Sequence, residues 1–396
     1  MRVLFATLLL IDQGPVLLGS PEYQPSAARP FGFRGDGSGR FPGATPALEW
    51  SSTKNVRWSA TVGKGYASPV LTNALVLILS EPGVLIALDR ATGKERWKVQ
   101  TSPADLSDPA ARAIAEKYKA KDAGLAAATP VTDGSMVYLV LASGIVRALG
   151  LDGTPKWIAL IDAEQNTSYG RSASPVLAGG RLYVHMTNLY AFDPATGKQL
   201  WMNAEAKCTY GTPLVLKDVV VTSGGEVVRV ADGKGINTGV GPAFHTTPVE
   251  QGGILYFGDK QARAVRLDAA FKDTDLWSGD LKEDVFGSPL VHDGLFFGAN
   301  GRGELFAFDD KGNAVISARP LFGEDAPKDS VYSSLTLAGN YLFLNSNPGE
   351  MVVLEATREA KLVARNKLGE GSGASPVFSG RDLFLRDGDR LHCIRP

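Results

Sequence analysis

Five side chains with rings that could hold a ligand recur at one place in a repeated phrase. Tyr66, Tyr210, His245, Phe286 and Tyr332 each stand three residues ahead of the Pro position of a Ser-Pro or Thr-Pro step. Those steps are Ser68-Pro69, Thr212-Pro213, Thr247-Pro248, Ser288-Pro289 and a degenerate copy, Ser334-Leu335. The remaining copies, Thr129-Pro130, Ser174-Pro175 and Ser375-Pro376, carry Ala127, Ser172 and Gly373 at that position. If the copies lie around an axis, equivalent positions converge and an aromatic-lined pocket follows. Its chemistry would be recognition by stacking and apolar contact, with Lys64 and Arg171 close by in sequence to add positive charge. The same rings can alternatively fill the wedge between neighbouring sheets. Catalysis has less support, because the four histidines (His185, His245, His292, His392) and two cysteines (Cys208, Cys393) lack metal-ligand spacing. The cysteines fall in different repeats, so free, buried thiols are expected rather than a disulfide.

The elements that must position these rings are themselves repetitive. Ala87–Trp97 reads A-L-D-R-A-T-G-K-E-R-W and Ala191–Trp201 reads A-F-D-P-A-T-G-K-Q-L-W, with seven identical positions. Each copy is an apolar strand, a turn, and a strand carrying Trp97 or Trp201. In the turns, Asp89 and Asp193 bind backbone amides while Gly93 and Gly197 supply positive φ. Successive Ser/Thr-Pro steps lie 35 to 46 residues apart, except for one interval of 61. A period of about 40 residues with internal turns matches a four-stranded propeller blade. The first unit parses into strands at Ala67–Thr72, Ala74–Ser80, Gly83–Asp89 and Lys94–Gln100, and alternation with β-branched residues favours strand over helix. The last unit ends one strand short, after Arg390–Ile394. An orphan strand carrying Trp58, Asn55–Val62, lies at the other end of the chain and would complete it. Such closure removes exposed sheet edges. The expected fold is therefore all-β: an eight-bladed β-propeller over residues 47–396. Seven blades is the alternative, if the degenerate unit around Tyr332 is absorbed elsewhere.

Composition sets further bounds. The chain has 396 residues, 45 glycines and a net charge of −1, which gives no electrostatic case for nucleic acid. No apolar run reaches the ~18 residues needed to span a bilayer. Arg2 followed by Val3–Ile11 and the small residues near Gly19-Ser20 make residues 1–20 an expected export signal, and residues 21–46 an irregular lead-in. The long interval contains a helical insertion at 102–126, with Asp108 as N-cap and Pro109 at the first helical position. It belongs to the same face as the rings, as a lid over the channel or a cover on one blade.

The phrase A-x-D-x-x-T-G-K-x-x-W resembles the repeat of the quinoprotein-type, or PQQ-like, β-propellers. The resemblance covers the chain from Trp50 onward. It is complete in the two phrases above, partial at Asp268 with Trp277 and at Asp152–Trp157, and without its Trp at Asp309–Gly312. Phe33–Arg40 is similar to the F-R-G-x-x-x-G stretch that opens many secreted members. Within the family the chain resembles the outer-membrane assembly (BamB) branch more than the PQQ-dependent dehydrogenases. That second branch implies Ca²⁺ held by Glu, Asn and Asp, a catalytic Asp, and usually adjacent cysteines, which this sequence lacks. The first implies no catalysis and no cofactor, although its lipidated N-terminal cysteine has no counterpart ahead of Cys208. The expectation is an exported, periplasmic or extracellular, monomeric scaffold that binds a protein or peptide on its loop face, with no catalytic or metal-ligating residues. The alternative is a propeller that binds PQQ with Ca²⁺, or a sugar, including a PQQ-dependent oxidoreductase.

Overall fold

The structure, a computed structural model, describes residues 16–164, 167–207, 210–237, 239–240 and 244–396. Cys208 and most of the expected export signal lie outside the described residues. Eight sheets form, each built on four antiparallel strands; seven take their four in sequence order, the eighth borrows an N-terminal strand, and one carries a fifth, parallel strand from the lead-in. In blade 1 these are Val70–Leu71, Leu75–Ser80, Val84–Asp89 and Glu95–Gln100. The two middle strands are buried along nearly their whole length, since a neighbouring blade covers each face, whereas the outermost strand alternates towards solvent. Middle strands therefore read as continuous apolar runs and outer ones as period-two patterns. The unit around Tyr332 is a complete blade 7 (Thr336–Ala338, Tyr341–Asn345, Glu350–Glu355, Leu362–Lys367), so the seven-bladed alternative does not hold.

Blade 8 combines Val377–Ser379, Asp382–Asp387 and Arg390–Ile394 with the N-terminal strand Val56–Thr61, which pairs antiparallel with Arg390–Ile394. Arg386 rivets this closure. Its buried guanidinium donates to the carbonyls of Leu79 at 2.8 Å and Gly63 at 2.7 Å, and to the Ser80 hydroxyl at 2.7 Å. Burial lowers its pKa to about 10, so it keeps its charge at neutral pH.

Neighbouring blades are joined at two radii. Near the rim, Trp58, Trp97, Trp157, Trp201 and Trp277 each lie on the turn glycine of the following blade. Trp58, Trp97, Trp157 and Trp201 donate their indole N–H to Arg90, Leu151, Pro194 and Val230 carbonyls at 2.8–3.1 Å. A Cβ on Gly93 would come within 2.5 Å of Trp58, one on Gly197 within 2.5 Å of Trp157, and one on Gly312 within 2.5 Å of Trp277. The turn carboxylates serve the same turns: Asp89 accepts from the Thr92 N–H and hydroxyl and from Arg96, and Asp193 from the Ala195 and Thr196 N–H groups.

Around the axis, a second join runs unbroken. The backbone N–H of Ser68 donates to the Thr129 hydroxyl, Thr129 to Ser174, Ser174 to Thr212, Thr212 to Thr247, Thr247 to Ser288, Ser288 to Ser334, Ser334 to Ser375, and Ser375 back to Ser68. The distances are 2.9–3.1 Å. The hydroxyl is thus the working residue of the Ser/Thr-Pro phrase. Blade 7 keeps it as Ser334 while replacing the proline with leucine. Proline suits the next position because it has no N–H to leave unpaired on an edge facing the channel.

Two measurements probe these joins. Gly197→Ala, at φ 71° and against Trp157, should destabilise the protein by about 2–4 kcal/mol, while Gly179→Ala, at φ 55° with open space, should cost only ~1 kcal/mol. Equal shifts in denaturant midpoint would show that the Trp contact is immaterial. His185, fully buried and donating from Nε2 to the Ala206 carbonyl at 3.1 Å, has its pKa pushed down to about 4 by desolvation. The unfolded chain takes up this proton near pH 6.5 and the folded one only near 4. Stability should therefore fall as pH drops through that window, by on the order of 3 kcal/mol, and His185→Gln should flatten the decline in acid denaturation.

Candidate functional site

At one mouth of the channel the eight positions that precede the hydroxyl ring line a cavity of about 780 Å³, with Tyr66, Ala127, Ser172, Tyr210, His245, Phe286, Tyr332 and Gly373 all on its wall. The five aromatic and imidazole members converge as the repeat requires. They form a continuous arc: Tyr66 to Tyr332 at 6.5 Å between ring centroids, Tyr332 to Phe286 at 5.2 Å, Phe286 to His245 at 4.8 Å, and His245 to Tyr210 at 5.1 Å. Most of these contacts are edge-to-face, and His245 stacks on Tyr210 at an interplanar angle of 15°. The rings pack on one another; the tryptophans instead pair with blade-core residues such as Phe384, Tyr138 and Tyr183. The mouth rings thus pack on rings of other blades and not on the rim tryptophans.

Two rings without a repeat position extend the arc. Phe244 lies 5.5 Å from Tyr210, and Tyr169 lies 6.2 Å from it with its backbone N–H on the Tyr210 hydroxyl at 3.1 Å. Tyr169 (58% exposed) and Phe244 (50%) stand open to solvent, as do Tyr66 (42%) and Tyr332 (40%). The insertion reaches the same mouth. Its helix, Pro109–Lys117, is capped by the Asp108 carboxylate on the Ala110 N–H at 3.0 Å, and the segment after it brings Asp122 and Ala123 to the cavity wall. The Glu81 carboxylate holds the return by accepting from Leu125 and Ala126 N–H groups.

Charge at this mouth differs from the sequence expectation. Lys64 is absent from the cavity lining; it is exposed and its carbonyl accepts the Glu81 N–H. Arg171 turns inward, donating to the Ala142 carbonyl at 2.8 Å and the Ala163 carbonyl at 2.5 Å and lying 5.2 Å over the Tyr118 ring. A buried guanidinium is better satisfied by backbone carbonyls than by facing a cavity. The charged groups on the wall are Asp122, Asp259, Asp284, Asp329 and Lys260, with Lys260 3.3 Å from Asp284. Burial pushes the Asp259 carboxyl above its usual range, partly offset by the Phe244 N–H at 2.9 Å. Burial also pushes His245 below its usual value, so its ring is neutral at physiological pH. No sequence signal marks these aspartates, because they sit in loops that do not follow the repeat.

The lead-in occupies much of the opposite mouth. Arg40–Phe41 adds a parallel strand to Thr336–Ala338, and Phe31 exchanges backbone hydrogen bonds with Thr132. Arg34, 1% exposed, donates to the carbonyls of Pro289 at 2.7 Å and Leu335 at 3.2 Å. The stretch Phe33–Gly39 gains its meaning here. Gly39, at φ 73°, lies flat on the guanidinium, where a Cβ would approach Arg34 Nη2 to 2.4 Å. Phe33 borders both this mouth's cavity, about 1080 Å³, and the aromatic one.

PQQ, a quinone bearing carboxylates, calls for cationic side chains, and Ca²⁺ for converging oxygen ligands. The aromatic mouth offers four aspartates and one lysine already beside an aspartate, and among the described residues no three His, Cys, Asp or Glu side chains come together to hold a metal. The residues at this mouth do not fit that pair of groups.

An eight-bladed ring with Trp-on-Gly joins and a PQQ-like repeat defines the class as a quinoprotein-type β-propeller. The profile of the family described as outer membrane protein assembly factor BamB matches residues 44–233 and 215–356, and the chain belongs to that family. An outer membrane protein assembly factor BamB of Burkholderia pseudomallei is 28% identical over 376 residues, covering 86% of this chain and 88% of its own length. Among solved structures, BamB from Moraxella catarrhalis superposes with a TM-score of 0.62 at 14% identity, over 86% of this chain and 97% of its own. The quinohemoprotein alcohol dehydrogenase of Comamonas testosteroni shares the fold, with a TM-score of 0.57 at 12% identity over 88% of this chain and 78% of its own.

Arg34→Ala should release the lead-in by leaving two carbonyls without their donor. Limited proteolysis should then cut within residues 21–46 while the ring stays intact. Unchanged resistance would mean that the strand pairing of Arg40–Phe41 is sufficient to hold the segment.

Proposed function

We propose that this chain is an exported, non-catalytic scaffold that holds a protein or peptide partner at the aromatic mouth. The observation that carries this reading is the arc of rings around an open cavity, with Tyr66, Tyr169, Phe244 and Tyr332 exposed on a rigid frame. Clustered, accessible aromatic rings are what interfaces use for anchoring, because they bury much area with little loss of rotamer freedom. The relatives are named as outer membrane protein assembly factors, which supports a place in the cell envelope and a partner in that assembly process. Among the described residues no helix is long and apolar enough to cross a membrane. The scaffold is expected to act as a monomer.

The test is a photo-crosslinking amino acid placed at Tyr332 in intact cells, with exposed Leu362 on the outer strand of blade 7 as control. A discrete adduct from the mouth position alone supports the reading; adducts of the same kind from both positions, or none from the mouth, overturn it. The Tyr66→Ala/Tyr332→Ala double variant should lose that adduct at a neighbouring mouth position. It should cost no more than about 1 kcal/mol per site in thermal unfolding, since both rings are substantially exposed. A collapse in stability would assign the rings to packing instead.

A further inference from the structure

The geometry points to a ligand of one charge type: we propose that the aromatic mouth takes the guanidinium of an arginine presented by a loop or peptide of the partner protein. The inference rests on the scaffold reading above and adds the chemistry of what is held. Three features converge on it. First, the rings of Tyr66, Tyr332, Phe286 and Tyr210 surround the cavity, and ring faces attract a cation placed over them, most of all a planar guanidinium that also stacks. Second, the wall carries carboxylates. Of its four aspartates only Asp284 has an ion-pair partner among the described residues, the exposed Lys260 at 3.3 Å. Asp122, Asp259 and Asp329 line the same wall with no ion pair among the described residues, Asp259 accepting the Phe244 N–H. Third, the two nearby cations that would have opposed such a ligand are turned away. Arg171 is spent on backbone carbonyls, and Lys64 lies outside the lining.

An anionic ligand is disfavoured by the same arrangement, since each unpaired carboxylate repels it. A purely apolar peptide would leave Asp259 desolvated beneath it with no counter-charge, at a cost that a guanidinium offsets by donating hydrogen bonds to the carboxylate in a fork geometry. The cavity, about 780 Å³, accommodates the whole side chain with part of its backbone. The exposed faces of Tyr169 and Phe244, outside the pocket proper, give the flanking residues of such a peptide an apolar ledge.

The experiment is a titration of the full-length protein with acetyl-Gly-Arg-Arg-Gly-amide, its citrulline counterpart and its glutamate counterpart, followed by calorimetry and tyrosine fluorescence. The arginine peptide should bind saturably, and about tenfold or more tightly than the citrulline peptide, which keeps the shape but lacks the charge. Raising the salt concentration should weaken it, and Asp259→Asn/Asp329→Asn should weaken it by a comparable factor with an unchanged melting temperature. If those variants fail to fold, the citrulline and salt comparisons on the unaltered protein still decide. Equal binding of the citrulline peptide overturns the charge preference while leaving the mouth a peptide site, so the scaffold reading survives that outcome. Tighter binding of the glutamate peptide, or no binding of any of the three, overturns the proposal, and the crosslinking from Tyr332 then judges the scaffold reading on its own.

Discussion

Eight backbone N–H groups, each accepted by a hydroxyl on the next blade, close on themselves around the axis, and the rest of the molecule is arranged about that circle. The N–H groups are buried at the innermost strands, where water is excluded and an unpaired donor would cost more than a typical hydrogen bond contributes. A Ser or Thr side chain is short enough to reach one neighbour only, so the ring also sets the spacing between blades. It tolerates the loss of proline in blade 7, but its pattern requires a hydroxyl in every copy, and every copy has one.

The consequences run outward and along the axis. Outward, blades diverge, and the widening wedge is filled where Trp side chains lie on the turn glycines of the next blade. Only a residue without Cβ fits beneath an indole and also adopts the positive φ of that turn. Along the axis, the residue two positions before each hydroxyl is carried to one mouth, which is why rings scattered through 267 residues of sequence between Tyr66 and Tyr332 come within contact distance. The aromatic mouth and the closure thus share the same short phrase.

The two mouths are treated differently by the chain itself. One receives the lead-in, whose Arg34 bonds to carbonyls immediately after two of the ring hydroxyls and whose Arg40–Phe41 extends blade 7 inward. Desolvation lowers the pKa of Arg34 to about 9, yet it stays charged at neutral pH, held by oriented carbonyl dipoles. With that side occupied, the aromatic mouth is the one left with accessible rings, and the insertion after blade 1 adds a wall without covering it.

How much of this was legible beforehand follows from symmetry. The blade count, the closure by Val56–Thr61, the roles of Asp89, Gly93 and Trp97, and the convergence of Tyr66, Tyr210, His245, Phe286 and Tyr332 could all be read from the chain, because a sequence period becomes a spatial rotation once the ring closes. The direction of Arg171, the plugging by Phe33 and Arg34, and the aspartates on the wall could not. Asp122, Asp259, Asp284 and Asp329 belong to connections of unequal length, and Arg34 meets partners 255 and 301 residues away. No local pattern encodes such meetings. Repetition let the residue order settle the scaffold and the ring-bearing positions, whereas the charge of the mouth and the filling of the other were settled only by loops and a terminus that fold against the completed ring.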